Sequence, residues 1–391
     1  MLKLKHLRHP LRTLGSAKAV FAAHLSMKVL GPRGEARFKG DARYDLRNVT
    51  EGFAPRLEKD GDDSAILERI CTAYLRAIDQ EPLARPVYQA TGWWKEVRRT
   101  GLTRVRSALA SRDIAAVQSM YRNFFRDSCS AGLIGVPYKM SEAYSGRVVD
   151  DSYRRFFLSN ALHRIDHWKM QTGHRFALRD LGGPETGNPF GVSIDGTLVR
   201  AGTESHHYCA HRIAGLLPPG AATVMEIGGG FGSMAYYLLR DRAETTYINF
   251  DMPESIALAS YYLLKTFPQR KFLLYGEEGF SAETWARHDV VLLPTFKLSN
   301  EPRKRAHLTV SSHTMSGLSR AAIAEYMSEI VRTTQRYFVL IGRSAENGPL
   351  RNLIRARYPS LRLVEARRLE WNRQRILHDD EEECVYEIAA A

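Results

Sequence analysis

The sequence predicts an α/β protein: a doubly wound, mostly parallel sheet with its last strand antiparallel, preceded by a helical region. Three observations predict it. Beyond Pro218-Pro219-Gly220, short apolar runs alternate with helical patterns. The first of these runs enters a dense glycine turn, VMEIGGGFGSMAYYLL (224–239). Upstream, residues 61–180 carry apolar residues at helical spacing with few β-type runs between them.

The elements follow in order. Residues 1–60 read as a basic arm and linker with one short helix, rich in Gly, Pro and Asp towards its end. Residues 61–200 read as a helical amino-terminal domain. Asp63 or Ser64 caps its first helix, and further helices are expected over 102–110, 114–131 and 150–172. The turn-dense segment LGGPETGNPFGVSIDG (181–196) marks a boundary. Residues 201–391 form the sheet domain, opened by a helix over 203–216. Strands are expected at 223–227, 246–250, 271–275, 289–296, 308–312 and 337–341, with helices at 233–240, 255–266 and 319–334. The last two strands, 361–366 and 384–389, pair antiparallel.

Composition narrows the class. The 391 residues allow two or three domains, and 44% hydrophobic content is that of a globular chain. No run is apolar and long enough to cross a bilayer, and the amino terminus has no convincing signal peptide. Cys71, Cys129, Cys209 and Cys384 are scattered, which suits reduced thiols in the cytoplasm. The net charge is +13, and residues 1–40 hold nine Lys or Arg against one Glu. That segment suits contact with an anionic surface, the inner face of a membrane or nucleic acid, or else is a solvated arm. The rest of the chain carries too little excess charge for a dedicated nucleic-acid binder.

The glycine turn points to a ligand. In a doubly wound sheet this turn lies at the carboxyl edge, where glycines remove the Cβ atoms that block a close approach. A dinucleotide fingerprint, G-x-G-x-x-G/A, aligned on Gly228 and Gly230 meets Ser233 at its third position. A P-loop is excluded, because no Gly-Lys-Ser/Thr follows. Glu226 stands two residues before the first glycine. A carboxylate there disfavours a pyrophosphate and favours a cation or an amino group.

Glu226-Ile-Gly-Gly-Gly-Phe-Gly232 resembles the first motif of the S-adenosylmethionine-dependent methyltransferases, E/D-x-G-x-G-x-G. The resemblance implies a Rossmann-like class I methyltransferase sheet with S-adenosyl-L-methionine as cofactor. It also implies an acid at the end of the second core strand, holding the ribose hydroxyls. Asp251, in YINFDMPE, stands in that place. The expected cofactor-binding set is therefore Glu226, Gly228, Gly229, Gly230, Asp251 and Met252. A wider set of stretches resembles the sugar O-methyltransferase family: YQATGWWKEVRR, MYRNFFRDSCSAGLIGVP, GNPFG, TESHHYCAHRI, FDMPESIALASYYL and VSSHTMS. That likeness runs over about residues 85–345 and implies a sugar or glycan hydroxyl as methyl acceptor. One departure stands out: Gly317 occupies the place of an expected acid after the fourth core strand.

Methyl transfer to a hydroxyl requires a group that takes the proton. His313, just past the strand at 308–312, is the candidate catalytic base. His207 and Tyr208 are candidates for the substrate side, and Trp93 or Trp94 for stacking on a sugar ring. His207 and His211 share a helix face without a visible third ligand, and no Asp-Asp or Asp-Glu pair follows the fourth strand. No metal is therefore expected. The basic run at 303–307 is a solvated surface or meets an anionic glycan. A homo-oligomer is compatible with all of this. Two rival readings stand beside this one. One is a methyltransferase for another acceptor, such as a small natural product or RNA. The other is a non-catalytic relative that binds the cofactor.

Overall fold

The computed structural model describes residue 25 and residues 28–57, 61–134, 151–279, 282–373 and 380–389. Residues 1–24, the larger part of the basic segment expected to meet a membrane, lie outside the described residues. Among those described, no helix is long and apolar enough to cross a membrane.

A small antiparallel hairpin, β1 (Gly191–Ile194) and β2 (Thr197–Arg200), precedes the main sheet. Then come β3 (Ala222–Ile227), β4 (Thr245–Asp251), β5 (Phe272–Leu274), β6 (Val290–Pro294), β7 (Ala306–Ser312), β8 (Thr334–Arg343), β9 (Leu361–Leu369) and β10 (Glu381–Ile388). They form one eight-stranded sheet in the order β5-β6-β4-β3-β7-β8-β10-β9. The six strands from β5 to β8 in that order are mutually parallel. β10 runs antiparallel to both β8 and β9. This is the mostly parallel, Rossmann-like sheet with a reversed last strand that the sequence predicts. The chain builds outward from β3 through β4 to β6 and β5, then returns to β7 on the other side. β3 and β7 therefore flank the topological switch point, where such sheets bind ligands.

The period of two along each strand divides the core. On β3, Ala222 and Val224 join Leu67, Tyr121, Phe124 and Leu238 on one face. Met225 and Ile227 join Trp285, Met327 and Ile330 on the other. The helical region and the sheet thus share a core across the boundary drawn at residue 200. Residues 28–57 also pack: Phe38 and Val49 are buried with Trp168, Leu181, Val192 and Trp371.

The helices at Ser64–Gln80, Asp151–Gln171, Thr203–Leu216, Ser233–Asp241, Pro253–Thr266 and Arg320–Thr333 match the helical spacing of the sequence. The helix expected over 114–131 stops at Tyr121 and continues as short 3₁₀ turns. Helices Gly92–Thr100 and Ser344–Arg357 and the β1–β2 hairpin were not among the expected elements.

Candidate active site at the carboxyl edge

The glycine turn connects β3 to helix Ser233–Asp241, and each glycine in it has its own reason. Gly228 has φ +81°, and a Cβ there would lie 1.8 Å from Thr314 Oγ1. Its N–H donates to Phe250 O at 2.8 Å, which ties the turn to β4. A Cβ on Gly229 would meet the Tyr247 hydroxyl at 2.7 Å and the Asn249 amide at 2.8 Å. Gly230 differs. It has φ +57°, and the nearest atom to a Cβ there is Leu133 O, 3.7 Å away. Among the described residues, Gly230 is the one of the three where a Cβ would meet only an ordinary contact.

Asp251 ends β4 and is 8% exposed. Its Oδ2 accepts from Gly230 N at 2.9 Å and its Oδ1 from Met252 N at 2.7 Å. Burial pushes its carboxyl up to about 6, against the backbone N–H groups that hold it down. Met252, 8% exposed, is the extended residue from which helix Pro253–Thr266 starts.

Glu226 sits lower than the sequence suggests. It is 2% exposed, beneath the turn, and its Oε2 accepts from the Tyr247 hydroxyl at 2.5 Å. Burial lifts its carboxyl to about 7, and the nearby Asp251 charge adds to the rise. Among the described residues no lysine or arginine forms an ion pair with Glu226 or Asp251. The turn is therefore acidic on both sides, which suits hydroxyl and amino donors and not a pyrophosphate.

β7 delivers the next residues to the same place. Ser311 Oγ donates to Ile227 O at 3.1 Å, and Thr314 Oγ1 to Gly228 O at 3.2 Å. His313 stands between them with φ +59°, in the left-handed region that few non-glycine residues adopt. Its backbone N–H donates to Ile341 O at 2.8 Å, and its side chain is 47% exposed. Its Nε2 lies 3.3 Å from Glu381 Oε2, at the start of the antiparallel β10. Partial desolvation opposes a charge on the ring, but the Glu381 carboxylate beside it outweighs this and raises its proton affinity above the ordinary histidine value.

The turn after β7 also meets the tryptophans. Trp94 Nε1 donates to Thr314 O at 3.4 Å. A Cβ on Gly317 would lie 2.6 Å from that same indole nitrogen, which explains why no acid occupies position 317 here. Trp93 packs edge-on against Trp94 at 4.7 Å and stays 55% exposed. Beside both rings is Gly132, whose neighbour Leu133 faces Gly230. The close approaches Gly228–Thr314–Trp94–Gly132 and Leu133–Gly230 thus bring these loops together at the carboxyl edge.

His207 and Tyr208 lie elsewhere. Each is 1% exposed. His207 Nδ1 accepts from Trp168 Nε1 at 3.2 Å, and its ring lies among Trp168, Phe176 and Tyr237. Burial pushes it down to about 4. The Tyr208 ring packs against Trp371 at 5.7 Å. The structure places both in the core and does not bring them to His313. Phe176 also lies edge-on against both His207 and His211, at 4.8 and 4.9 Å. Among the described residues no group of three His, Cys, Asp or Glu side chains is arranged to hold a metal ion. The neighbouring His206 is the one electrostatically coupled to His313. Burial, with Arg200, Arg164 and His313 around it, pushes it down to about 3. The basic run at 303–307 precedes β7 and so lies at the opposite edge of the sheet from the glycine turn.

Sequence reasoning missed Glu381, His206, Asn249 and Thr314. Glu381 lies 68 residues beyond His313 in an acidic run, and only the antiparallel insertion of β10 beside β8 brings the two together.

No family model matches the chain, and no curated protein matches it. Solved structures do. One is an S-adenosylmethionine-dependent methyltransferase from Aquifex aeolicus, 11% identical, covering 46% of this chain and 89% of its own, with TM-score 0.33. Another is the 1,6-didemethyltoxoflavin N1-methyltransferase of Burkholderia thailandensis, 14% identical, covering 48% and 77%, with TM-score 0.31. A third is the magnesium protoporphyrin IX methyltransferase of Synechocystis PCC 6803, with bound S-adenosylmethionine, 10% identical, covering 57% and 91%, with TM-score 0.32. At such scores the likeness carries nothing about the reaction. The class of fold rests on the strand order: a mostly parallel, Rossmann-like sheet with β10 reversed between β8 and β9.

Proposed function

We propose that the protein is an S-adenosyl-L-methionine-dependent O-methyltransferase that methylates a hydroxyl of a sugar or glycan. The observation that carries the reading is the pairing of Asp251 with Gly230. A buried carboxylate with no cationic partner among the described residues is tied to Gly230, the least crowded of the three glycines. Both Asp251 oxygens keep acceptor capacity beyond their backbone bonds, which suits the two ribose hydroxyls. Gly230 lets the ligand approach the backbone, and Met252 offers apolar surface to the base. When bound, the cofactor supplies an electrophilic methyl group on a sulfonium.

The chain's own work is on the acceptor. His313 takes the hydroxyl proton as the acceptor oxygen forms its bond to the methyl carbon. The exposed Trp93 face beside this loop supports a saccharide acceptor, since aromatic faces pack on the C–H faces of sugar rings. The basic amino-terminal segment supports a working place at an anionic membrane surface.

Titration calorimetry with S-adenosylhomocysteine tests the cofactor reading. Wild type binds, and Asp251→Ala weakens binding at least tenfold. Unchanged affinity sinks the ribose assignment. Labelled S-adenosylmethionine offered with nucleotide-sugars and glycans tests the acceptor. Methyl incorporation only into nucleic acid or an aromatic metabolite overturns the sugar reading. Deletion of residues 1–40 is expected to reduce binding to anionic vesicles.

A further inference from the structure

Glu381 does not stand alone behind His313. Its Oε2 faces His313 Nε2 at 3.3 Å, and its Oε1 accepts from Asn372 Nδ2 at 3.2 Å. Asn372 Oδ1 in turn accepts from Arg164 Nη1 at 3.4 Å. Arg164 is fixed on its other side by Glu204 at 3.3 Å and Ser205 at 3.3 Å. Arg164 and Glu204 are both buried. A chain of polar contacts therefore runs from helix Asp151–Gln171 through the segment before β10 to the candidate base. His163 and His167 brace that segment further. His163 Nε2 lies 2.9 Å from Glu370 O, and His167 Nε2 accepts from Glu370 N at 3.1 Å. Among the described residues, the remaining ring nitrogen of His313, Nδ1, has no hydrogen-bond partner.

We propose that Glu381, anchored through Asn372 and Arg164, is the positioning residue that holds His313 as its Nε2–H tautomer. Nδ1 is then the nitrogen that accepts the proton of the acceptor hydroxyl. The inference rests on the methyltransferase reading above. A carboxylate can only accept, so it selects the tautomer that donates from Nε2. It also strengthens the ring as a base by stabilising the cation formed when the proton arrives. The other groups that act on His313 are Arg343 at the end of β8, which opposes its charge, and Glu346 on helix Ser344–Arg357, which favours it. His206 on helix Thr203–Leu216 faces it as a neutral ring, and Arg164 and Asn372 act on Glu381. Of these, Glu381 alone forms an ion pair with His313 among the described residues, Oε2 to Nε2 at 3.3 Å.

Histidine-selective ¹⁵N labelling of the full chain reads the tautomer and the titration directly. The His313 signals are identified by their absence in His313→Gln. The expected neutral ring carries its proton on Nε2, with a titration midpoint above that of an ordinary histidine. Glu381→Gln keeps the shape of the side chain and lowers that midpoint by about one unit. Asn372→Ser, a milder change outside the pair, lowers it by less. It also decides the matter if Glu381→Gln fails to fold. A neutral ring protonated on Nδ1, or a midpoint that neither variant moves, overturns the proposal. Calorimetry with S-adenosylhomocysteine on the wild type separates the two levels. Absence of binding removes the cofactor reading, whereas the tautomer result alone decides whether Glu381 positions His313.

Discussion

Alanine at Gly228 and at Gly230 separates two jobs that the run of glycines merges. At Gly228 a side chain meets both a left-handed backbone and Thr314 at 1.8 Å. Strain of about 1–2 kcal/mol and a clash of similar size put the cost of Gly228→Ala near 3 kcal/mol. Gly230→Ala faces only the strain, about 1–2 kcal/mol, because the nearest described atom, Leu133 O, lies at an ordinary contact distance of 3.7 Å. The first variant is expected to show a large drop in thermal midpoint. The second is expected to stay folded and to bind S-adenosylhomocysteine at least tenfold more weakly. Unchanged affinity in Gly230→Ala would show that the ligand does not pass there. The motif was legible in the sequence, as was Asp251 at the end of the next strand. The division of labour was not. Whether a glycine avoids a neighbouring loop or a ligand depends on Thr314 and Leu133, which are far away in the chain. Glu226 illustrates the same limit. Its place at the end of β3 was readable, but its burial beneath Tyr247 depends on the β3–β4 register.

The helical region is fastened to the site by one ion cluster. Arg98, on helix Gly92–Thr100, reaches Glu81 at 2.6 Å and Glu254 at 2.8 Å. Glu254 is 1% exposed at its side chain, three residues past Asp251, and also meets Arg106 at 2.9 Å. Removing one member of a buried pair costs about 3–5 kcal/mol, and the surviving Arg106 contact places Arg98→Met towards the lower end. Denaturant unfolding of Arg98→Met, Glu81→Gln and the double variant checks this. A coupling near zero would mean the cluster is not a clamp. Helices with an unbroken apolar stripe were readable, Ser64–Gln80 and Thr203–Leu216 among them. Helix Ser344–Arg357 was not, because Gly348 and Pro349 inside it read as a turn. The hairpin was hidden by the opposite effect. Asp195 and Gly196 have φ +50° and +73°, as a two-residue hairpin turn requires. Yet the many turn formers upstream made GVSIDGTLVR look like linker.

At the scale of the whole molecule, buried ionisable groups set how stability varies with pH. Three carboxyls are raised by burial: Asp251 to about 6, Glu226 to about 7 and Glu301 to about 8. A raised carboxyl binds its proton more tightly in the folded state, so its contribution is full below about 4.5 and is lost as pH rises through the folded value. The buried histidines act in the opposite sense. His167, His206 and His207 are lowered to about 4, 3 and 4, so their contribution is full above about 6.5 and is lost as pH falls. Between about 4.5 and 6.5 the two sets largely cancel. Above 6.5 the unfolded histidines are already neutral, and the raised carboxyls and the raised His313 still respond, in the same sense. Stability therefore falls as pH rises from 6.5 to 8.5. Glu301 dominates that fall. It is 2% exposed, and neither carboxylate oxygen has a hydrogen-bond partner among the described residues, although Arg305 and Arg332 lie near enough to oppose the rise. Its share is about 2 kcal/mol over the interval from 6.5 to 8, at 1.36 kcal/mol per unit. Glu301→Gln cannot ionise, so its stability relative to the wild type is expected to grow by about 2 kcal/mol as pH rises from 6.5 to 8. Thermal denaturation of both proteins across that range checks it. Parallel curves would place the charge of Glu301 in contact with solvent or a cation, and would remove it as the source of the alkaline loss.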